Sequence, residues 1–187
     1  MSTNDLSTSD LAVLGLLAYA EGERSGYELW RLADRSVGLI WAPARSQIYK
    51  VLVRLAALGL TSVRTVEQAE RPDKQLHRLT REGRGALRRW LGQAEPDDDP
   101  DVYVLKIFFG RYAPEDAALA QAKAYRDRFA ADYHRYRELD RTISRTERNT
   151  FPLLVLDLGL RRAGAAVDWA GELVAELEGA GEEVESA

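Results

Sequence analysis

The stretch 46-SQIYKVLVRLAALGL-60 sets Ile48, Val51, Leu52, Leu55 and Leu58 three and four residues apart. At about 100° per residue these five make one apolar stripe of an α-helix. Ser46, Gln47, Lys50, Val53 and Arg54 fall on the other side, with Tyr49 on the flank. Gly59 follows the last apolar position, where the chain needs a residue that accepts positive φ. No Asp or Glu lies between Asp34 and Glu67, so the polar front of this helix is cationic. Taken alone, such a helix is ordinarily a core element with a solvated face, and its neighbours in sequence decide whether it is more.

Upstream, Ser9 is placed to cap a helix from Asp10 to about Ala20, whose broad apolar set (Leu11, Val13, Leu14, Leu16, Leu17) predicts burial on most sides. Glu21-Gly22-Glu23 breaks it. Ser25 and Glu28 then have capping-box spacing, opening a second helix that runs to about Ser36. Gly38 and Pro43 bracket a turn. Downstream, Leu60–Val66 is rich in β-branched residues and reads as a strand. Glu67–Gln75 reads as a loop, Leu76–Leu79 as a short return strand, and Thr80 as the cap of a helix over Arg81–Leu91. Three helices, a strand, a basic loop, a strand and a helix follow one another as in a winged helix-turn-helix. There the third helix enters the major groove and the loop reaches the flanking backbone or minor groove.

Charge agrees with that order. The chain of 187 residues has a net charge of −4, yet residues 44–89 hold 11 basic and 4 acidic side chains. Residues 1–95 sum to +3 and residues 96–187 to −7. A basic segment inside an acidic protein marks a polyanion-binding face. The expected DNA contacts are Arg45, Ser46, Gln47, Tyr49, Lys50 and Arg54 on the third helix and Arg64, Arg71, Lys74 and Arg78 on the wing. Gln suits adenine and Lys or Arg suits guanine, and each of them also suits phosphate.

Glu95–Pro100, two prolines around an acidic run, reads as a linker. The second half is helical. Asp101–Arg111 is short and aromatic. From Pro114 a helix extends to about Arg145, with Ala122, Phe129, Tyr136 and Ile143 every seven positions. The last helix, from about Pro152 to Leu177, carries Leu153, Leu156, Leu160, Ala163, Val167, Ala170, Val174 and Leu177 at alternating spacings of three and four. A repeat sustained at 3.5 residues is a coiled-coil seam and predicts a homodimer; the alternative is an intramolecular helical hairpin. Gly159, Gly164 and Gly171 each lower helix propensity by about 1 kcal/mol relative to Ala, and a glycine also admits close approach of a partner helix.

The expected organisation is mainly α: a disordered tail over 1–9, a winged helix-turn-helix domain over 10–94, a linker over 95–100, a helical dimerisation and effector domain over 101–180, and a disordered tail over 181–187. There is no cysteine, hence no disulfide, thiolate metal site or cysteine nucleophile. His77 and His134 stand apart with no accompanying ligand cluster, so no enzyme activity, metal or cofactor is expected. The polar first ten residues do not resemble a signal peptide. The longest apolar run, Phe151–Leu156, is too short to span a bilayer, and a cytoplasmic protein without membrane contact is the expectation.

The motifs Ser25-Gly26-Tyr27-Glu28-Leu29, Trp41-Ala42-Pro43, Ser46-Gln47-Ile48-Tyr49 and Leu52 to Gly59-Leu60 resemble those of the PadR family of bacterial transcriptional regulators. So do Arg71-Pro72-Asp73-Lys74, Arg78-Leu79-Thr80-Arg81-Glu82-Gly83, Leu105 to Gly110, and Asp168-Trp169. The likeness is to the long subfamily, whose helical C-terminal domain is like that of virulence-gene activators. It implies a homodimer that binds double-stranded DNA at a palindromic operator, usually as a repressor, and lets go on binding a small aromatic or amphipathic effector between its two domains. Trp41, Tyr103, Phe109 and Trp169 are the lining that this would use. The competing expectation is a helical sensor or interaction module whose winged helix binds protein.

Overall fold

The structure is a computed structural model that describes residues 6–38, 40–68, 73–93 and 100–185. The chain divides into two compact units, 1–93 with 99–117, and 94–98 with 118–187.

The first unit opens with α1 (Thr8–Ala20). Its cap is Ser7, two residues before the expected Ser9. Ser7 has an acid three positions on, and the reciprocal box closes: the Asp10 carboxylate accepts from the Ser7 amide at 2.8 Å while Ser7 Oγ accepts from the Asp10 amide. Ser9 would find only Ala12 at that spacing. The expected tail over 1–9 is therefore helical from Thr8, and residues 1–5 lie outside the described ones. α2 (Gly26–Ser36) starts with the expected Ser25–Glu28 box, α3 spans Arg45–Ala57, and Gly59 turns the chain at φ +70°.

β1 (Thr61–Val66) pairs antiparallel with β2 (Lys74–Leu79) from Thr61↔Leu79 out to Val66↔Lys74. β2 begins two residues before the expected Leu76, because the Val66↔Lys74 rung lengthens the ladder. Arg24 adds a bridge to His77 on the free edge of β2, its amide donating to the His77 carbonyl at 2.9 Å and its carbonyl accepting from the His77 amide at 2.8 Å. α4 (Arg81–Leu91) is capped by Thr80, whose Oγ1 accepts from the Gly83 amide at 3.0 Å.

α5 (Pro100–Phe108) and a 3₁₀ turn over Gly110–Tyr112 complete this unit, so it extends beyond the boundary expected at 94–101. The reason is burial. Val102, Leu105 and Phe109 join the same core as Leu14, Leu17, Leu52, Leu55, Leu87 and Leu91. Phe109 rests on α1 where a Cβ at Gly15 would lie 2.7 Å from its ring. Lys106 is buried, yet its Nζ donates to the Gln93 carbonyl at 2.7 Å and lies 5.6 Å from the Trp90 ring centroid. Its charge is thus held at the end of α4, where a cation meets the negative pole.

The second unit is a helical hairpin of α6 (Ala117–Thr142) and α7 (Thr150–Glu185). At 1.5 Å per residue α7 is about 54 Å long, and it runs through most of the tail expected from 181. The expected inter-chain seam is occupied within the chain. Leu156, Ala163, Ala170 and Val174 are buried, and Leu153, Leu160, Val167 and Leu177 half-buried. The helix that approaches Gly159 and Gly164 is α6 itself, with Tyr136 beside the first and Tyr133 beside the second, whereas a Cβ at Gly171 would meet nothing within 4 Å among the described residues. Trp169 meets Tyr125 edge-on at 5.4 Å, and Lys123 pairs with Glu178 at 2.7 Å. A 3.5-residue repeat describes a seam for any long partner helix, and the neighbour in the same chain fills it here. Among the described residues no helix is long and apolar enough to cross a membrane.

Candidate nucleic-acid interface

α3 buries Ile48, Val51, Leu52 and Leu55 and turns its other side outward. Ala44 at its N-cap provides no side-chain hydrogen bond, and the first turn holds no acid. The free N–H groups, the positive pole and Arg45 therefore add up at this end. Ser46, Tyr49, Lys50 and Val53 are exposed and share one face. Lys50 has no hydrogen bond or ion pair among the described residues. Val53 is 66% exposed and was not foreseen as a contact. An exposed β-branched residue there suits a thymine methyl group.

Two of the expected readers are engaged elsewhere. Arg54 donates from Nε to Asp10 Oδ1 at 2.9 Å and from Nη2 to Ser7 Oγ at 2.9 Å, and it forms an ion pair with the Asp10 carboxylate, which is fully buried. Gln47 donates to Ser9 Oγ at 2.9 Å. Both side chains tie α3 to the first turn of α1.

Arg45 is positioned by rings. Its guanidinium lies 5.2 Å from the Tyr27 centroid and 5.7 Å from that of Tyr49. Gly26 at the start of α2 makes room for Tyr49, since a Cβ there would be 2.9 Å from that ring. Tyr27 and Arg31, which lies 6.0 Å from the Tyr27 centroid, were likewise not foreseen. Their sign in the sequence is the i, i+4 spacing of an aromatic and an arginine on a helix next to the reader. These residues, with Arg24, Arg35 and Lys74, line a groove of about 1190 Å³ between α2, α3 and the wing. Its cations and shape suit a phosphate backbone.

The wing is braced against the helices. Arg64 donates from Nε to Glu23 Oε2 at 3.0 Å; this hydrogen bond lowers the Glu23 pKa and raises that of Arg64. Lys74 Nζ reaches Glu28 Oε1 at 3.0 Å. The Ser25 backbone amide, with Ser25 Oγ and Lys74, holds the Glu28 carboxyl at about 2 against the opposing effect of burial. His77 is a packing residue: it is buried, its pKa is lowered by that burial, and Nδ1 lacks a hydrogen-bond partner among the described residues. Arg71 lies outside the described residues. Arg78 is exposed but lines a second cavity with Arg84, Arg88 and Arg111, away from the groove that holds Arg45 and Lys74.

Of the expected effector lining, Tyr103 and Phe109 are buried, Trp41 packs against the core of the first unit, and Trp169 meets Tyr125 edge-on in the second. Among the described residues no cluster of His, Cys, Asp and Glu fits a metal ion.

Residues 13–89 match the model of the transcriptional regulator PadR-like family, and residues 101–178 match that of the virulence activator alpha C-terminal domain. A "probable transcriptional regulator" of Mycobacterium tuberculosis is 29% identical over 182 residues, covering 87% of this chain and 95% of that protein. The crystal structure of Bacillus subtilis PadR in complex with operator DNA is 26% identical and covers 90% of this chain and 98% of that one, with a TM-score of 0.44. The same protein in complex with p-coumaric acid is 25% identical over 92% and 99%, with a TM-score of 0.43. The two sequence matches lie on the two halves foreseen from the motifs, in that order: the first half of the chain carries a PadR-like domain and the second a virulence activator alpha C-terminal domain.

Proposed function

We propose that this protein is a homodimeric, sequence-specific DNA-binding repressor acting on a palindromic operator. The observation that carries the reading is the outward face of α3. Ser46, Tyr49, Lys50 and Val53 lie on one side of a helix whose N-terminal end is uncapped and basic, beside the groove that holds Arg45. Lys50 and Ser46 read base edges, Val53 meets a thymine methyl, and Arg45 and the wing, with Arg71, grip phosphate. Arg54 and Gln47 set the angle of α3 instead of reading bases. A second copy docks on the outer side of α7, where Phe151 is 78%, Leu154 62%, Val155 70% and Leu158 54% exposed. Four such neighbours on two turns form an apolar patch that a monomer would leave wet. Two such copies present two α3 helices to half-sites about 34 Å apart. Repression, and its relief by a small effector, are what the family resemblance supports.

Fluorescence anisotropy with DNA from upstream of the protein's own coding region tests the reading. Binding at least about 1000-fold tighter than to a shuffled duplex is expected. Equal affinity for both duplexes would leave the α3 face without a reading role.

A further inference from the structure

Successive residues of a strand point to opposite faces, and the end of β2 thereby divides two surfaces of the first unit. His77 lines the groove with Arg45 and Lys74. Arg78 turns the other way and meets Arg84, Arg88 and Arg111 around the end of α1 and the 3₁₀ turn. Arg81, Arg84 and Arg88 are all exposed. Their spacing puts them on one stripe of α4, about 10 Å long at 1.5 Å per residue. None of the five arginines makes an ion pair or hydrogen bond among the described residues. On α6 and α7, by contrast, Arg126, Arg135, Arg141 and Arg161 each pair with an acid. Glu23 feels the charge of Arg78 but accepts its hydrogen bonds from Arg64. Glu21 and Glu82 also stand on this face and are outnumbered. Like charges gathered without counter-ions repel, and α4 is held in place by Ala86, Leu87, Trp90 and Leu91, so packing does not require the stripe.

We infer that this face grips the backbone of a second duplex segment, apart from the one that meets α3, so that the protein joins two stretches of DNA. All five cations are arginines, whose planar forks meet phosphate oxygens bidentately. The length of the stripe is comparable to the major groove's width of about 12 Å, so Arg81 and Arg88 reach phosphates on facing strands. Among the described residues no large apolar side chain of α4 or of the 3₁₀ turn is exposed. A single strand needs rings on which to stack its bases, and a membrane surface needs an apolar face; this surface offers neither. Contacts to phosphate carry no sequence information, so the second segment is held by its charge alone. The inference goes beyond the operator reading and applies to duplex of any sequence.

Energy transfer between donor-labelled and acceptor-labelled pieces of the upstream duplex, mixed with the full chain, tests it. The unaltered protein is expected to bring the two labels together at about 50 mM salt and to release them by about 200 mM, as phosphate contacts require. The triple variant Arg81→Gln, Arg84→Gln and Arg88→Gln should need roughly tenfold more protein to join the pieces, while its affinity for a single piece stays within about twofold. Glutamine is nearly as good a helix former as arginine, so thermal unfolding of the variant should not move. Removing the same three charges from the second unit, with Arg137→Gln, Arg148→Gln and Arg162→Gln, should leave joining as it was. No joining by the unaltered protein, or joining indifferent to the α4 substitutions, overturns the surface. Single-piece affinity that falls in step with joining also overturns it, since the arginines would then lie on the path of the α3 duplex. Poly-glutamate displacing the second piece better than shuffled duplex of equal charge would give the face to an acidic protein instead. The operator reading fails separately, by equal affinity for upstream and shuffled duplexes, and joining that depends on α4 is expected with either duplex.

Discussion

Lys50 and Arg54 are both cations on the outward side of α3, and the structure gives them different work. Lys50 has no partner among the described residues; as the proposed base reader, its replacement in Lys50→Ala is expected to weaken operator binding by about 1–3 kcal/mol and shuffled DNA by less, as read by anisotropy at fixed salt. An equal loss on both duplexes would make it a phosphate contact. Arg54→Ala instead strands the fully buried Asp10 carboxylate. Because Arg54 is itself half-exposed, the loss in folding stability is discounted to about 1–3 kcal/mol. Urea denaturation should show it, and a double-mutant cycle with Asp10→Ala should recover most of it; additive losses would sink the pairing. Titration adds a third residue-scale outcome. His77 has a folded pKa below its ordinary 6.5, so the unfolded chain takes the proton first and stability falls as pH drops below about 6.5. Glu28, held at about 2 against an ordinary 4.5, adds a further fall between those two values. His77→Gln should flatten the first part of the urea-midpoint curve only, and an unchanged slope there would discard the buried neutral imidazole.

At the scale of elements, what could be read ahead was whatever a single element carries in its own spacing. The Ser25–Glu28 box, the Thr80 cap, the Gly59 turn and the apolar stripe of α3 are all local, and each stands in the structure. Partners far along the chain were not legible. Arg54 and Asp10 are 44 residues apart, and an outward-facing arginine looks the same in periodicity whether it meets DNA or a carboxylate. Arg78 alternates correctly for a wing strand, yet its neighbours in space come from α4 and the turn after α5. The α7 repeat shows the same limit, since it cannot tell a helix of its own chain from one of another. α7 therefore offers a clean test. Leu156→Ala empties a buried position against α6 and should cost about 2–5 kcal/mol of folding stability. Leu154→Glu with Leu158→Glu should leave the fold intact and shift sedimentation from dimer to monomer. If the two sets of variants exchange effects, the inner and outer faces of α7 have been misassigned.

For the whole molecule, the net charge of −4 conceals a basic 44–89 segment and a second half, 96–187, of −7. An acidic half is repelled by a duplex, so on the proposed reading DNA contact falls to the basic segment and non-specific binding stays modest. The affinity that remains comes largely from phosphate neutralisation. The logarithm of operator affinity should therefore fall linearly with that of salt, with a slope of about −0.9 per neutralised phosphate, and Lys74→Ala should make the slope shallower by roughly one. A flat salt response in gel shifts or anisotropy would mean that the groove beside Arg45 is not where the backbone runs.

The bonds from Ser7, Ser9 and Asp10 to Arg54 and Gln47 also have a practical side. They moor the first turn of α1 at the flank of the reading helix, so a substitution at Ser7 or Asp10 would reach that surface without either side chain meeting a duplex. A screen for DNA-binding defects would score such variants as contacts unless folding stability were measured beside affinity.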